Sequence, residues 1–354
     1  MIKLLITLFI LSLSLFGDYN KLIQLSADLP KDKIYFNEGV LVKEFDRSTL
    51  RWNFFADLNQ ELRQSVLSKE FKAIEKRGQE IRLKELRFKS SAWGINRFYN
   101  AIGYAQSSIP AILDFCEEWK DISPKSNMPY IVQARALYAR AWEIRGGEYV
   151  DKTSVSLLKE FRNHLKKAWD AILIAEKIGP IDPELLHVKA KLAFTYRNDK
   201  KLAMNIFNEC YKIEPSYYPI YFTFADFLKA QWFGSHNEVR EFFDVSANIT
   251  SKVDGDGIYF LLAYQHSRSS SYLYSKQGFS WKLTQKGFKD LADKYGESTH
   301  LLHRYGYLAM DAKDYKAFAY VIKKVGTQWD ASKRDYFYSR EWYEYHLHQA
   351  KKYL

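Results

Sequence analysis

The sequence predicts an all-α protein: a tetratricopeptide-like helical repeat array (an α-solenoid) with an N-terminal helical extension. Three observations carry this. First, one helical segment is written twice. Lys166–Pro180 aligns with Lys201–Pro215 at a shift of 35 positions, matching Lys166 with Lys201, Ala168 with Ala203, Lys177-Ile178 with Lys212-Ile213 and Pro180 with Pro215. Large Ile172 meets Phe207, and small Ala175 meets Cys210. Tetratricopeptide repeats recur at about 34 residues. In such repeats small residues admit a neighbouring helix, a large one fills the groove, and proline ends the helix. Second, apolar residues recur at helical spacing, as at Leu50, Phe54, Leu58, Leu62 and Val66. Third, no stretch keeps up the period-two alternation of a half-buried strand.

Residues 1–17 read as a signal peptide. Met1-Ile2-Lys3 is a short basic start, Leu4–Phe16 an apolar run, and Gly17-Asp18 a small residue followed by polar sequence. The run is short for a membrane span and has the layout of a secretory leader. Leu15 departs from the small residue that cleavage sites favour, so an uncleaved anchor is the alternative. No cysteine follows the run, which argues against a lipoprotein. The expected location is outside the cytoplasm, periplasmic or secreted.

Residues 18–128 form the N-terminal helical region. A short helix is expected over Tyr19–Ala27, then an irregular connection through Pro30, Asn37 and Gly39. From Asp46 the pattern turns helical, with Ser48 as a cap. Gly78 breaks a charged stretch, and Ile81, Leu86 and Phe88 lead into a helix over Ala92–Tyr104. Pro110 sits in the first turn of the next helix, which Ser123-Pro124 closes.

Residues 129–250 form the repeat core. Pro129 opens a helix over Ile131–Arg145, which Gly146-Gly147 ends as a glycine cap. Helices follow over Val155–Ile178, Pro183–Asn198 and Lys200–Ile213. A third pair begins near Pro219, and its second helix, Asn237–Asn248, keeps Phe243 at the groove-filling spacing. Residues 251–354 are C-terminal helical repeats and a cap. Helices are expected from Asp256 or Gly257, then over Trp281–Tyr295, Ser298–Met310, Tyr315–Val325 and Ser332–Lys352. Ser267–Ser275 is a polar helix end or a loop.

The formal charge is +11, which invites a nucleic-acid reading. The basic residues are interleaved with acids, however, as in Glu75-Lys76-Arg77, and Glu80 and Lys84 stand four apart like paired charges on a solvated helix. With an export signal, the expected partner is a protein. Peripheral contact with anionic membrane or cell wall, or a glycan, is the alternative, and nucleic acid is not expected. Aromatics make up 17% of the chain, enough to fill helix grooves throughout or to line a binding surface. Cys116 and Cys210 are the two cysteines, read as two buried thiols, with one disulfide as the alternative.

Two motif clusters supply candidate binding residues. Trp119-x4-Pro124-x-Ser126 precedes Ala141-Trp142-x-x-Arg145-Gly146, and Trp232-Phe233-Gly234-Ser235 follows later. Across roughly residues 90–265 this set resembles a bacterial family of exported, tetratricopeptide-like helical proteins, a domain of unknown function. Its pattern runs W-x4-P-x-S, A-W-x-x-R-G and W-G-G-S. Phe233 stands where that family has its first glycine. The resemblance implies the fold and no chemistry.

Arg145 is either an anchor for loop carbonyls at a helix end or a clamp for an anion, with Trp142 beside it. Trp232 and Ser235 belong to a turn whose serine caps the next helix, with Glu238 at the capping-box position, or to a ligand-contacting loop. Val253-Asp254-Gly255-Asp256-Gly257 resembles a calcium loop but fails its template at Ile258, Tyr259 and Gln265. His300 and His303 share a helix face and His346 and His348 sit on the last helix, but neither pair has a nearby cysteine or a clear carboxylate partner for zinc. No catalytic, cofactor or metal motif is present. The expectation is a non-catalytic interaction or scaffold module of the cell envelope. The alternative is a helical toroid-like enzyme or binding protein acting on polysaccharide.

Overall fold

The computed structural model describes residues 47–330, 333, 336–337 and 339–354, with strands at 35–36 and 40–41. The expected signal peptide and the Tyr19–Ala27 helix lie outside the described residues. Strands β1 (Tyr35–Phe36) and β2 (Val40–Leu41) pair antiparallel. Strands β3 (Leu50–Trp52) and β4 (Arg87–Phe88) pair parallel and bracket α1 (Phe55–Leu67) and α2 (Phe71–Leu83). The chain continues through α3 (Gly94–Tyr104), α4 (Ile109–Ile122), α5 (Met128–Arg145), α6 (Val155–Ile178), α7 (Pro183–Thr195), α8 (Lys200–Ile213) and α9 (Tyr218–Phe227). Then come α10 (His236–Asp254), α11 (Gly257–Ser267), α12 (Leu273–Lys276), α13 (Trp281–Tyr295), α14 (Thr299–Asp311), α15 (Tyr315–Val325) and α16 (Arg340–Ala350). The protein is an all-α helical array.

Two compact units divide the chain, Asp46–Thr223 (the first unit) and Phe224–Leu354 with the residues up to Phe45 (the second). The division falls inside α9 and not at 128/129 or 250/251. In the first unit α5 packs on α6, α6 on α7 and α7 on α8. In the second, α11 packs on α10 and α13, and α15 on α14 and α16. Among the described residues no helix is long and apolar enough to cross a membrane.

The duplicated segment lies on the buried faces of α6 and α8. Ala168, Ile172 and Ala175 are fully buried, and so are their counterparts Ala203, Phe207 and Cys210. Both helices start on a side-chain cap: Ser154 Oγ accepts from the Leu157 amide and Asp199 from the Leu202 amide. Because the alanine sites leave no room, Ala168→Leu and Ala203→Leu each overpack the first unit by about 1–3 kcal/mol. Unchanged thermal unfolding of both variants would show the alignment to be coincidence.

Several expected elements are displaced for identifiable reasons. Leu50 opens a strand and not a helix, because β3 pairs with β4. Helix α1 starts at Phe55, where Asp57 accepts the amides of Asn53 and Phe54 at 3.0 Å, so Ser48 does not cap it. Gly78 lies inside α2 and breaks nothing. A Cβ there would meet the Phe98 ring at 2.7 Å and Met128 at 2.9 Å, so the glycine permits close packing. Helix α7 stops at Thr195, short of Asn198, whose φ is +52°. Helix α10 extends to Asp254. The last helix starts at Arg340, where Ser339 accepts from the Trp342 amide. Cys116 and Cys210 are free, buried thiols, and burial pushes Cys116 up to about 12.

Candidate functional site

The four residues singled out in the sequence form two local groups. Trp142 packs edge-on against Phe161 of α6 at 5.3 Å, with Tyr138 one turn back. The Arg145 guanidinium lies 5.1 Å from the Trp142 ring and donates to the Gly146 carbonyl at 3.2 Å. Gly146 takes φ +70° as the helix ends. Arg145 is half-buried and bonds the carbonyl of the next residue in the chain. Trp232 and Ser235 belong to the second unit. Trp232 rests on Phe227 at 5.8 Å, and Ser235 Oγ accepts from the Glu238 amide, capping α10. Gly234 is required by close approach, since a Cβ would lie 2.2 Å from the Leu228 carbonyl oxygen.

The acids of the calcium-like stretch are taken up by neighbours. Asp254 is buried and accepts from Lys294 at 2.6 Å and Tyr295 at 3.0 Å, while Asp256 pairs with Lys286. Among the described residues no group of three His, Cys, Asp or Glu side chains could hold a metal ion.

The densest polar chemistry lies elsewhere, in the first unit, where α3, α5, α7 and the turn before α9 meet. Helix α7 exposes only Lys189, Lys191 and Thr195 in part, and Glu184 and His187 are buried with Leu185, Leu186, Val188 and Ala190. Those two polar residues must therefore find partners inside the protein. Asp182 caps α7, accepting from the Leu185 amide at 2.8 Å and the Tyr99 hydroxyl at 3.1 Å. Glu184, with no exposed surface, pairs with Arg135 of α5 through Oε1. Its Oε2 accepts from Asn96 at 2.9 Å and from the Tyr217 hydroxyl, with His187 Nδ1 at 3.3 Å. The other His187 nitrogen faces Thr223 Oγ1 at 2.9 Å, and Asn100 accepts from Arg135.

Burial sets the protonation of this cluster. It pushes His187 well below the usual imidazole value and Tyr99 and Tyr217 well above theirs. It also pushes Arg135 and Arg97 down and Asp182 up. Close by, Ser216 accepts from Arg87 at 2.9 Å and offers its carbonyl to Trp93 Nε1 at 2.7 Å. Glu214 accepts from the Ser216 amide and hydroxyl, yet burial raises it to about 7. Chemically, Glu184 and His187 are occupied by fixed partners. Arg97 and Arg135, both half-buried on α3 and α5, are the groups that reach toward solvent.

No protein-family model, no curated protein and no solved structure matches this chain. The resemblance to the exported bacterial family therefore rests on its motifs alone. The cluster around Glu184 was not singled out in the sequence. The available signal was Glu184 and His187, three apart near the start of a helix whose other residues up to Val188 are apolar.

Proposed function

We propose that the chain is a non-catalytic helical-repeat module, an α-solenoid of the cell envelope, which binds a protein partner through the tip of the α5–α6 hairpin. One observation carries this. Helix α6 has 24 residues where the aligned α8 has 14, and its first buried residue is Leu165. The preceding turns therefore hold apolar side chains outside the core: Val155 is 84% exposed, with Leu157 beside it and Tyr149 and Val150 exposed in the loop before. Large apolar side chains left exposed together at one end of a hairpin are a feature of interaction surfaces. Trp142 and Arg145 brace the base of this tip. Export rests on the leader-like residues 1–17.

A photo-crosslinking residue placed at Val155 in the native cell tests the reading, with exposed Lys212 as the control position. The expected result is one discrete protein adduct from position 155 and none from 212, abolished by Leu157→Asp without a change in melting. Equal labelling from both positions, or none, would reject the hairpin as the binding surface.

A further inference from the structure

We propose that one face of α6, beside the turn between α7 and α8, docks an acidic helix supplied by the protein that binds the hairpin tip. The inference deepens the reading above and rests on it. Val155, Lys159, Arg162, Lys166 and Trp169 follow at spacings of four, three, four and three, so they share one side of α6. The first four are exposed and Trp169 is half-buried. Trp169 closes the stripe against the α7–α8 turn, where its ring lies 6.4 Å from that of Tyr196 and 5.8 Å from the Arg197 guanidinium. Arg197 is itself exposed. An apolar side chain therefore stands at the tip end, an aromatic one at the other, and three cations lie between them, with Arg197 as a fourth.

Most of this charge is uncommitted. Among the described residues no carboxylate pairs with Lys159, Arg162 or Arg197, and Lys166 pairs with Asp170 at 2.7 Å in the open. An exposed pair of that kind contributes little and can exchange partners. Glu160 lies nine positions before Trp169, which places it on the opposite side of the helix. Asp199 is engaged by the Leu202 amide at 2.8 Å. Residues 145–170 and 197–201, at the end of the hairpin where the apolar tip lies, hold nine lysines and arginines against five acids, whereas 171–196 hold three of each. The spacing selects the partner. Lys159, Arg162 and Lys166 rise along α6 in steps of about 4.5 and 6 Å. A second helix with carboxylates at the same steps meets all three, and apolar residues at its ends cover Val155 and Trp169. Helices lying side by side choose partners through such flanking charges. A row along one helix, closed by a turn, suits a linear acidic partner better than a flat layer of lipid headgroups. Charge sets orientation and encounter rate here, and the apolar ends supply affinity.

Fluorescence anisotropy tests the face with labelled, amidated helical peptides that share leucines at their ends. They differ at central positions spaced three and four apart, which carry glutamate, glutamine or lysine. The expected result is saturable binding of the glutamate peptide, weakening as salt rises, and little binding of the other two. Arg162→Glu sets a like charge in the path and should weaken binding by about tenfold or more. Lys167→Glu makes the same charge change nearly opposite Trp169 and should bind like the wild type. Both positions are exposed, so both variants should melt like the wild type. No binding of the glutamate peptide at about 1 mM, equal binding of the glutamine peptide, or equal weakening by the two variants would overturn the proposal. So would phosphatidylglycerol vesicles that displace the glutamate peptide and bind the wild type but not Arg162→Glu, which would assign the face to lipid. In the native cell, an adduct from position 155 that survives Arg162→Glu overturns the acidic helix and leaves the hairpin reading standing. No adduct from position 155, with the glutamate peptide still bound, rejects the tip and keeps the acidic face.

Discussion

Replacing Glu184 with glutamine destabilises the first unit by about 3–5 kcal/mol. Four donors converge on this fully buried carboxylate: Arg135, Asn96, Tyr217 and His187. An amide of the same shape keeps one acceptor oxygen, which Asn96 and Tyr217 can still use. Its NH2 then faces the Arg135 guanidinium, donor against donor, and leaves a half-buried positive charge without its counterion. Arg135→Met alone removes the charge but leaves Glu184 facing only neutral donors. The double variant should lose less than the sum of the two, because neither charge is then left unpaired. Amide hydrogen exchange along α7 reads the loss locally, whatever the second unit does. A Glu184→Gln protein whose α7 amides exchange at the wild-type rate would show that the cluster does not stabilise this unit.

Most of the helical register was legible because caps and breakers act locally. Ser154, Asp199 and Ser298 start α6, α8 and α14 through hydroxyl or carboxylate bonds to amides three residues on, and these residue types announce that role in the sequence. The buried face of the repeat was legible as well, since Ala168 and Ala203 meet identical packing demands. What failed depended on partners distant in sequence. Leu50 entered a strand because Arg87 lies beside it, and Gly78 stayed helical because Phe98 and Met128 press against it. The polar cluster failed for the same reason. Arg135 on α5 looks like any surface arginine until α7 places Glu184 against it, and Asn96 lies 88 residues from the carboxylate it meets. Arg145 stands out in the sequence by the glycines that follow it, yet its hydrogen bond is a local one to Gly146.

Acid should loosen the second unit before the first, because burial lowers three histidines there, His266, His303 and His346, against His187 in the first. In the second unit burial pushes His266 and His303 down to about 4. His303 has no exposed surface, neither ring nitrogen has a hydrogen-bond partner among the described residues, and it packs against the rings of Tyr336 and Phe337. Lys333 and His300 also oppose its protonation, while Asp330 favours it. His346 is lowered too. An unfolded histidine titrates near 6.5, so between pH 6.5 and 4 the unfolded state binds more protons and stability falls with pH. The displacement is worth about 3 kcal/mol for each of His266 and His303. Asp244 and Asp311, raised by burial, act in the opposite sense at the acid end. In the first unit Glu214, raised to about 7, binds its proton more tightly folded than unfolded. It therefore adds stability as pH falls from 7 toward 4.5 and offsets the loss at His187. Hydrogen exchange at pH 7, 5 and 4 should show α11 and α14 losing protection ahead of α7. His303→Phe fills the same aromatic pocket without a titrating group, so it should leave stability at pH 7 unchanged or higher and remove about half of the acid loss from this pair. Parallel loss of protection in both units, or a His303→Phe protein as acid-sensitive as the wild type, would show that these histidines do not set the acid limit.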